Sequence, residues 1–286
     1  MEFHLRKKNI LVTGGSMGLG FAAAKQCLER GAHVLICARH QSSIDEAVES
    51  LQREGFSQIA GCVADVTQES QVQEALDLLE SRFGPLHGVI HSAGIYGAIG
   101  SITEVDPEEW LEGVKINLFG SFLIARHSCL RWKKQKGGRL LLFSGGGAAT
   151  PFPNYTSYAC GKAAVVRFTE TIAQEMAPYN IEINCLAPGF VITRLHQQTL
   201  QAQEKAGSDF VEKTKKELGC GGVPIEMGAS AAAFFVSDAA KGITGKFISA
   251  PYDSWKEFPQ RVNELKDNDL FTLRRIIPKD RGLSWQ

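Results

Sequence analysis

The chain has 286 residues, 44% of them hydrophobic, with 31 Lys+Arg balanced by 31 Asp+Glu. That length excludes a disulfide-stapled miniprotein, and the composition excludes a disordered chain. Zero formal charge argues against a protein whose main task is to grip a nucleic-acid backbone or an anionic membrane, so neither partner is expected. Seven cysteines (27, 37, 62, 129, 160, 185 and 220) form no C-x-x-C pair and no zinc-spaced cluster, and read as reduced thiols of a cytoplasmic protein. Behind Arg6, Lys7 and Lys8, the apolar stretch Ile10 to Val12 is too short for a signal sequence, and no run is long enough to span a bilayer.

In chain order, strands are expected at Asn9–Thr13, His33–Cys37, Ile59–Val63, Gly88–His91, Arg139–Phe143, Glu182–Leu186 and Lys246–Ser249. Helix-period segments separate them up to about residue 250, which is the pattern of a doubly wound, seven-stranded parallel α/β sheet covered on both faces. After the third strand, Val72, Ala75, Leu76, Leu79 and Phe83 recur at helical spacing, with Thr67 as the expected N-cap. The basic run Arg131 to Lys136 closes a helix before Gly137, where cations complement the helix C-terminus, so it reads as a solvated face.

Thr13-Gly14-Gly15-Ser16-Met17-Gly18-Leu19-Gly20 leaves the first strand and opens a helix. Glycines there allow a tight turn and close approach of backbone to a pyrophosphate, and the helix N-terminus supplies N–H donors, as in a Rossmann-type dinucleotide site. At the end of the second strand stand Ala38 and Arg39, with no carboxylate to bind a ribose 2′-hydroxyl. Arg39 suits a 2′-phosphate, which favours NADP, with NAD as the alternative. This Thr-Gly-x-x-x-Gly-x-Gly turn resembles that of the classical short-chain dehydrogenase/reductase family; the extended branch, with its non-redox sugar-nucleotide enzymes, would need glycine at Met17. The resemblance implies that Asp65 and Val66 border the adenine. Ser92, Ala93 and Gly94, behind His91, take the place of the family's Asn-Asn-Ala-Gly, with both asparagines replaced. By the same resemblance, Pro188, Gly189, Val191 and Thr193 hold the nicotinamide carboxamide.

Tyr158 and Lys162 begin a helix after the fifth strand, four residues apart and therefore on one face. Lowering a tyrosine pKa by about 3 units takes roughly 4 kcal/mol. One ammonium at about 4 Å supplies on the order of that amount at an effective dielectric near 20. The resemblance makes Tyr158 the acid/base, gives Lys162 a further bond to the nicotinamide ribose, and has Asn117 complete a water-mediated proton relay. Where the family carries its catalytic serine, alignment from both sides puts Gly145, and Ser144 lies one residue out of register. Losing such a donor costs about 10²–10³ in rate, so a substitute is expected from the backbone of Gly145 to Gly147 or from Ser144, Thr150, Asn154 or Ser157.

Residues from Arg194 to Gly222 leave the alternating pattern and correspond to the family's substrate lid, with Gly207, Gly219, Gly221 and Gly222 as hinges and Phe152, Phe190 and Phe210 as pocket candidates. Beyond residue 250, apolar residues from Trp255 to Ile277 predict one or two short helices docked beside the active site of their own or a neighbouring subunit. The expectation is one domain, 1–286, with a lid at about 194–222 and a C-terminal extension at about 251–286. Its expected activity is hydride transfer between NADP(H) and a carbonyl or secondary alcohol of a small molecule, in a homodimer or homotetramer as the family implies. A cofactor-binding scaffold or NADP(H) sensor is the second reading: Gly145 and the replaced asparagines favour it, while Tyr158, Lys162 and Asn117 oppose it.

Overall fold

The structure is a computed structural model that describes residues 2–266 and 268–285. Its strands are β1 (Asn9–Thr13), β2 (His33–Ala38), β3 (Ile59–Val63), β4 (Gly88–His91), β5 (Gly138–Phe143), β6 (Ile181–Ala187) and β7 (Phe247–Ser249). They pair in parallel in the order β3-β2-β1-β4-β5-β6-β7. Each lies within one residue of its expected place at either end. Alternation explains the two-sided burial: Ile10 and Val12 of β1 enter one core, Leu11 the other.

Helices cover both faces. On one side are α1 (Gly18–Glu29), α2 (Gln41–Arg53) and α9 (Ile225–Phe235), the last packing its small residues Ala229, Ala232 and Ala233 into the core with Ala23, Ala24 and Cys27 of α1. On the other are α3 (Glu69–Phe83), α5 (Gly120–Gln135) and α6 (Thr156–Met176). Among the described residues, no single helix is long and apolar enough to cross a membrane. The strand order reverses between β1 and β4, and such a switch point opens a crevice at the carboxyl ends of the strands.

Two local expectations are corrected. Thr67 does not cap α3: its amide and hydroxyl both donate to Asp65 Oδ1, and Gln68 occupies the cap position. The basic run closes α5 as expected, with Lys133, Lys134 and Lys136 exposed and Arg131 paired with Asp77 and Glu80 of α3. The C-terminal extension forms only a 3-10 turn, Trp255–Gln260, the four-residue α10 (Val262–Leu265) and another turn, Pro278–Arg281. It docks mainly away from the crevice, because its large apolar groups find a better partner in the core. Trp255 and Phe258 are 3% exposed, and Trp255 packs on Phe234 of α9. The chain then crosses the sheet edge, where Phe271 accepts the Phe247 amide, and reaches α6, where Glu170 accepts the Leu273 amide.

Candidate active site

A cleft of about 920 Å³ lies over the carboxyl ends of the strands. Of the catalytic and cofactor-binding residues nominated from the sequence, all but Gly20 and Asn117 line it, whereas the donor candidates Asn154 and Ser157 do not. Gly20 sits beneath the turn: a Cβ there would lie 2.2 Å from the Gly14 carbonyl oxygen, so glycine lets α1 close onto β1. Gly14, with φ +63, would bring a Cβ within 2.9 Å of the Ala93 amide nitrogen. The N-cap of α1, Met17, makes no side-chain bond and no acid stands in the first turn, so the leading amides face the cleft as an anion site.

At the end of β2, Arg39 is exposed and has no carboxylate partner among the described residues. Beside it, Ser43 donates to Ser16 (3.3 Å) and to the His40 carbonyl (2.9 Å). The cleft's carboxylates are Asp65, tied to Thr67, and Glu217 of the lid. A cradle of close-set glycines and open helix amides therefore fits a dinucleotide, with an arginine and two hydroxyls at the end of β2.

Tyr158 and Lys162 project from the first turns of α6, both nearly buried. Lys162 Nζ donates to the Phe143 carbonyl at 2.9 Å and stands 5.5 Å from the Tyr158 ring centre. Burial holds Lys162 down at about 8, whereas burial pushes Tyr158 above its ordinary 10. This corrects the expectation of a lysine-lowered phenol: with its ammonium turned to a backbone carbonyl, Lys162 leaves Tyr158 a protonated acid. Gly94 closes this corner, since a Cβ there would meet Asn117 Oδ1 at 2.8 Å and Lys162 Nζ at 3.3 Å.

Asn117 lies behind the cleft wall in a π-turn, Lys115–Phe119, inserted between α4 (Pro107–Val114) and α5. Its Nδ2 donates to the Ile95 and Gly113 carbonyls (2.7 and 2.8 Å), and its Oδ1 accepts the Ile95 amide (3.3 Å). Both amide hydrogens are therefore committed, and the side chain braces the strand-to-helix loop; only its backbone carbonyl, already taking the Ser121 hydroxyl, could serve a relay. His91 replaces the family asparagine by bonding Thr13 Oγ1 at 2.7 Å; burial, then the Lys162 charge, holds it neutral, down at about 3.

The absent serine has a structural cause. A Cβ on Gly145 would lie 2.2 Å from the Tyr158 hydroxyl, so that hydroxyl occupies the volume a serine would need. Of the side-chain substitutes, Ser144 is buried and donates to the Lys162 carbonyl, and Ser157 donates to the Trp110 carbonyl at 2.6 Å. Asn154 faces the lid at Gly207, where a Cβ would meet its Nδ2 at 2.6 Å. Thr150 does line the cleft. So do Gly146 and Gly147, whose amides donate to nothing among the described residues.

The lid segment folds as α7 (Arg194–Ala202), a short turn, and α8 (Ser208–Cys220); Gly219 lies inside α8 rather than at a hinge. An aromatic cluster seats it: Phe152 stacks on Tyr155 at 4.4 Å, Phe210 meets both edge-on, and the buried Tyr155 hydroxyl donates to Thr199 at 2.8 Å. Phe152, Phe190 and Phe210 all line the cleft. Sequence reading missed Tyr96, whose ring edges against Tyr158 at 4.9 Å, and His196. The signal for His196 was its place three residues after Thr193, the spacing of a capping box, with histidine where Glu or Gln is usual.

Residues 8–204 match the family model described as short chain dehydrogenase. Human dehydrogenase/reductase SDR family member 4 is 31% identical over 244 residues, 85% of this chain and 86% of that protein. Among solved structures, a short-chain type dehydrogenase/reductase from Mycobacterium ulcerans superposes with a TM-score of 0.76 at 29% identity, covering 87% of this chain and 89% of that one. A gluconate 5-dehydrogenase from Burkholderia cenocepacia J2315, solved with NADP and tartrate, gives 0.76 at 26% identity, covering 86% and 94%.

Proposed function

The chain belongs to the classical short-chain dehydrogenase/reductase family and is therefore an NAD(P)-dependent oxidoreductase acting on CH–OH/C=O groups, and from that premise we propose that it uses NADP(H) to reduce a carbonyl of a small molecule. The observation that carries this reading is the convergence of Tyr158, Lys162 and Gly94 on one corner of the cleft, opposite the glycine turn. When bound, the nicotinamide supplies or accepts the hydride. Tyr158, kept protonated by its burial, donates its phenolic proton to the substrate oxygen as negative charge develops there. The open amides of Gly146 and Gly147, together with Thr150, take over the role of hydrogen-bond donor to that oxygen. Lys162 holds an ammonium at the same corner, and Asn117 fixes the Ile95 backbone on which the cleft wall rests.

Arg39, flanked by Ser16 and Ser43, supports NADP over NAD, as does the NADP held by the B. cenocepacia relative. Arg39→Ala is expected to weaken NADPH binding roughly tenfold or more, since a hydrogen bond to a charged group is lost, and to leave NADH binding nearly unchanged. Fluorescence titration of the two cofactors checks this; equal losses would refute the assignment.

Burying the Lys162 ammonium costs stability, and the sign follows from its lowered pKa. Between about 8 and the ordinary 10.5 the unfolded chain binds the extra proton, so the folded state gains stability as pH rises through that window. Lys162→Met is expected to be more stable than the parent at pH 7, by on the order of 3 kcal/mol, with the difference vanishing above pH 10.5. Urea denaturation across that range measures it.

The whole chain is read as one dinucleotide-binding domain with its lid at 194–222 and extension at 251–286. Its seven unpaired thiols, with Cys160 and Cys220 exposed, fit the reducing cytoplasm. A second copy of the chain is the expected partner. Phe119, Phe122 and Leu130 on the helix following Asn117 are 39–48% exposed, and Phe122 adjoins Phe168 of α6. Phe122→Asp should lower the sedimentation mass to that of a monomer; an unchanged oligomer would exclude this face.

A further inference from the structure

Ser144 and Ser157 bond within the protein and Asn154 faces the lid at Gly207, yet the lid side of the cleft holds, besides the charged Arg194 and Lys213, a neutral side chain placed to donate. His196 lies in the first turn of α7, 8% exposed, and lines the cleft. Its Nδ1 accepts the Thr193 amide at 3.4 Å, while the Thr193 backbone carbonyl accepts the His196 amide at 3.1 Å in return. Phe190 lies against the ring at 4.0 Å, and Tyr96 edges it at 6.5 Å. A neutral imidazole carries one N–H; with Nδ1 accepting, that proton is on Nε2. Burial holds His196 down at about 4, so the ring is neutral at pH 7 and the tautomer is fixed.

Nε2 has no hydrogen-bond partner among the described residues. A fixed, unpartnered donor on a cleft wall is costly to bury beneath an apolar ligand and is satisfied by an oxygen. The ring pairs with Tyr96 and Phe190, and Tyr96 in turn pairs with Tyr158, so His196 stands one ring removed from the proposed proton donor.

We propose that His196 donates its Nε2–H to a second oxygen of the substrate, near the reacting carbonyl, so that the enzyme selects oxygenated carbonyl compounds such as hydroxy ketones over plain alkyl ketones. The proposal rests on the carbonyl-reducing assignment of the cleft. It places the selectivity in the lid, the segment whose sequence departs from the alternating pattern.

The test compares 2-hydroxycyclohexanone with cyclohexanone as NADPH-dependent substrates of the parent, His196→Leu and His196→Gln. The parent should favour the hydroxy ketone by about tenfold or more in kcat/KM, the scale of one satisfied hydrogen bond against an unpaired donor. In His196→Leu the preference should collapse toward unity, chiefly through KM for the hydroxy ketone, and His196→Gln should recover part of it. A parent ratio near unity, or a ratio that survives in His196→Leu, overturns the proposal. Failure of the underlying assignment looks different: turnover then persists in Tyr158→Phe. Because removing a cap residue can loosen the lid, the parent is also examined without substrate by two-bond ¹H–¹⁵N correlation. The expected spectrum at pH 7 shows His196 protonated at Nε2 alone; a proton on Nδ1, or an imidazolium, overturns the proposal.

Discussion

Tyr158→Phe is expected to lower kcat by about 10²–10⁴, the usual contribution of a positioned general acid, while NADPH still binds and the melting temperature does not fall. Both halves of that result follow from the site. The phenol is buried and protonated, so it is the proton source at the corner where Lys162 and Gly94 meet. Among the described residues its hydroxyl makes no hydrogen bond, so removing the oxygen deletes chemistry rather than structure. Steady-state reduction kinetics, cofactor titration and thermal denaturation of the two proteins check it. A variant that turns over like the parent would remove Tyr158 from the chemistry.

Gly145→Ser is expected to lower kcat by at least about tenfold rather than raise it. If the chain had simply lost a serine, restoring the donor should return about 10²–10³ in rate. Here the added Cβ would stand 2.2 Å from the Tyr158 hydroxyl and 3.1 Å from Cζ, so the ring must swing away from the corner before any new hydroxyl can act. Overpacking of this kind costs about 1–3 kcal/mol. Gly145→Ala separates the two accounts: a steric cause predicts that both variants lose activity together, whereas a merely missing donor predicts that serine gains where alanine does not.

The fold was legible because parallel strands buried on both faces read as short apolar runs, and all seven runs from Asn9 to Ser249 became strands. The cleft was legible where backbone geometry demands a residue type, as at Gly14, Gly20 and Gly94. What escaped was set by packing across distance. The position of Asn117 was legible, but not that the π-turn would aim its side-chain amide at Ile95 and Gly113, so that only its backbone carbonyl could serve a relay. The Tyr158 to Lys162 spacing implied a lowered phenol, yet burial pushes the phenol the other way, while the lysine donates to the Phe143 carbonyl. That Trp255 and Phe258 would complete the core beside Phe234 was not legible in the apolar spacing of the extension. Nothing in the one-dimensional pattern at Tyr96 announced that it would border the cleft, and at His196 the only signal was its spacing from Thr193.

The central claim is that this chain moves hydride between NADP(H) and a carbonyl carbon with Tyr158 as the proton donor. Its most direct test is incubation with NADPH stereospecifically deuterated at C4, prepared as both epimers, and a panel of ketones, hydroxy ketones and dicarbonyls, followed by mass spectrometry of the alcohols formed. The account predicts that one epimer yields an alcohol one mass unit heavier with the parent enzyme, and that Tyr158→Phe forms little of it. Tight NADPH binding with no deuterium transferred to any acceptor would contradict it in favour of a cofactor-binding scaffold or sensor, and transfer undiminished in Tyr158→Phe would contradict the assigned chemistry.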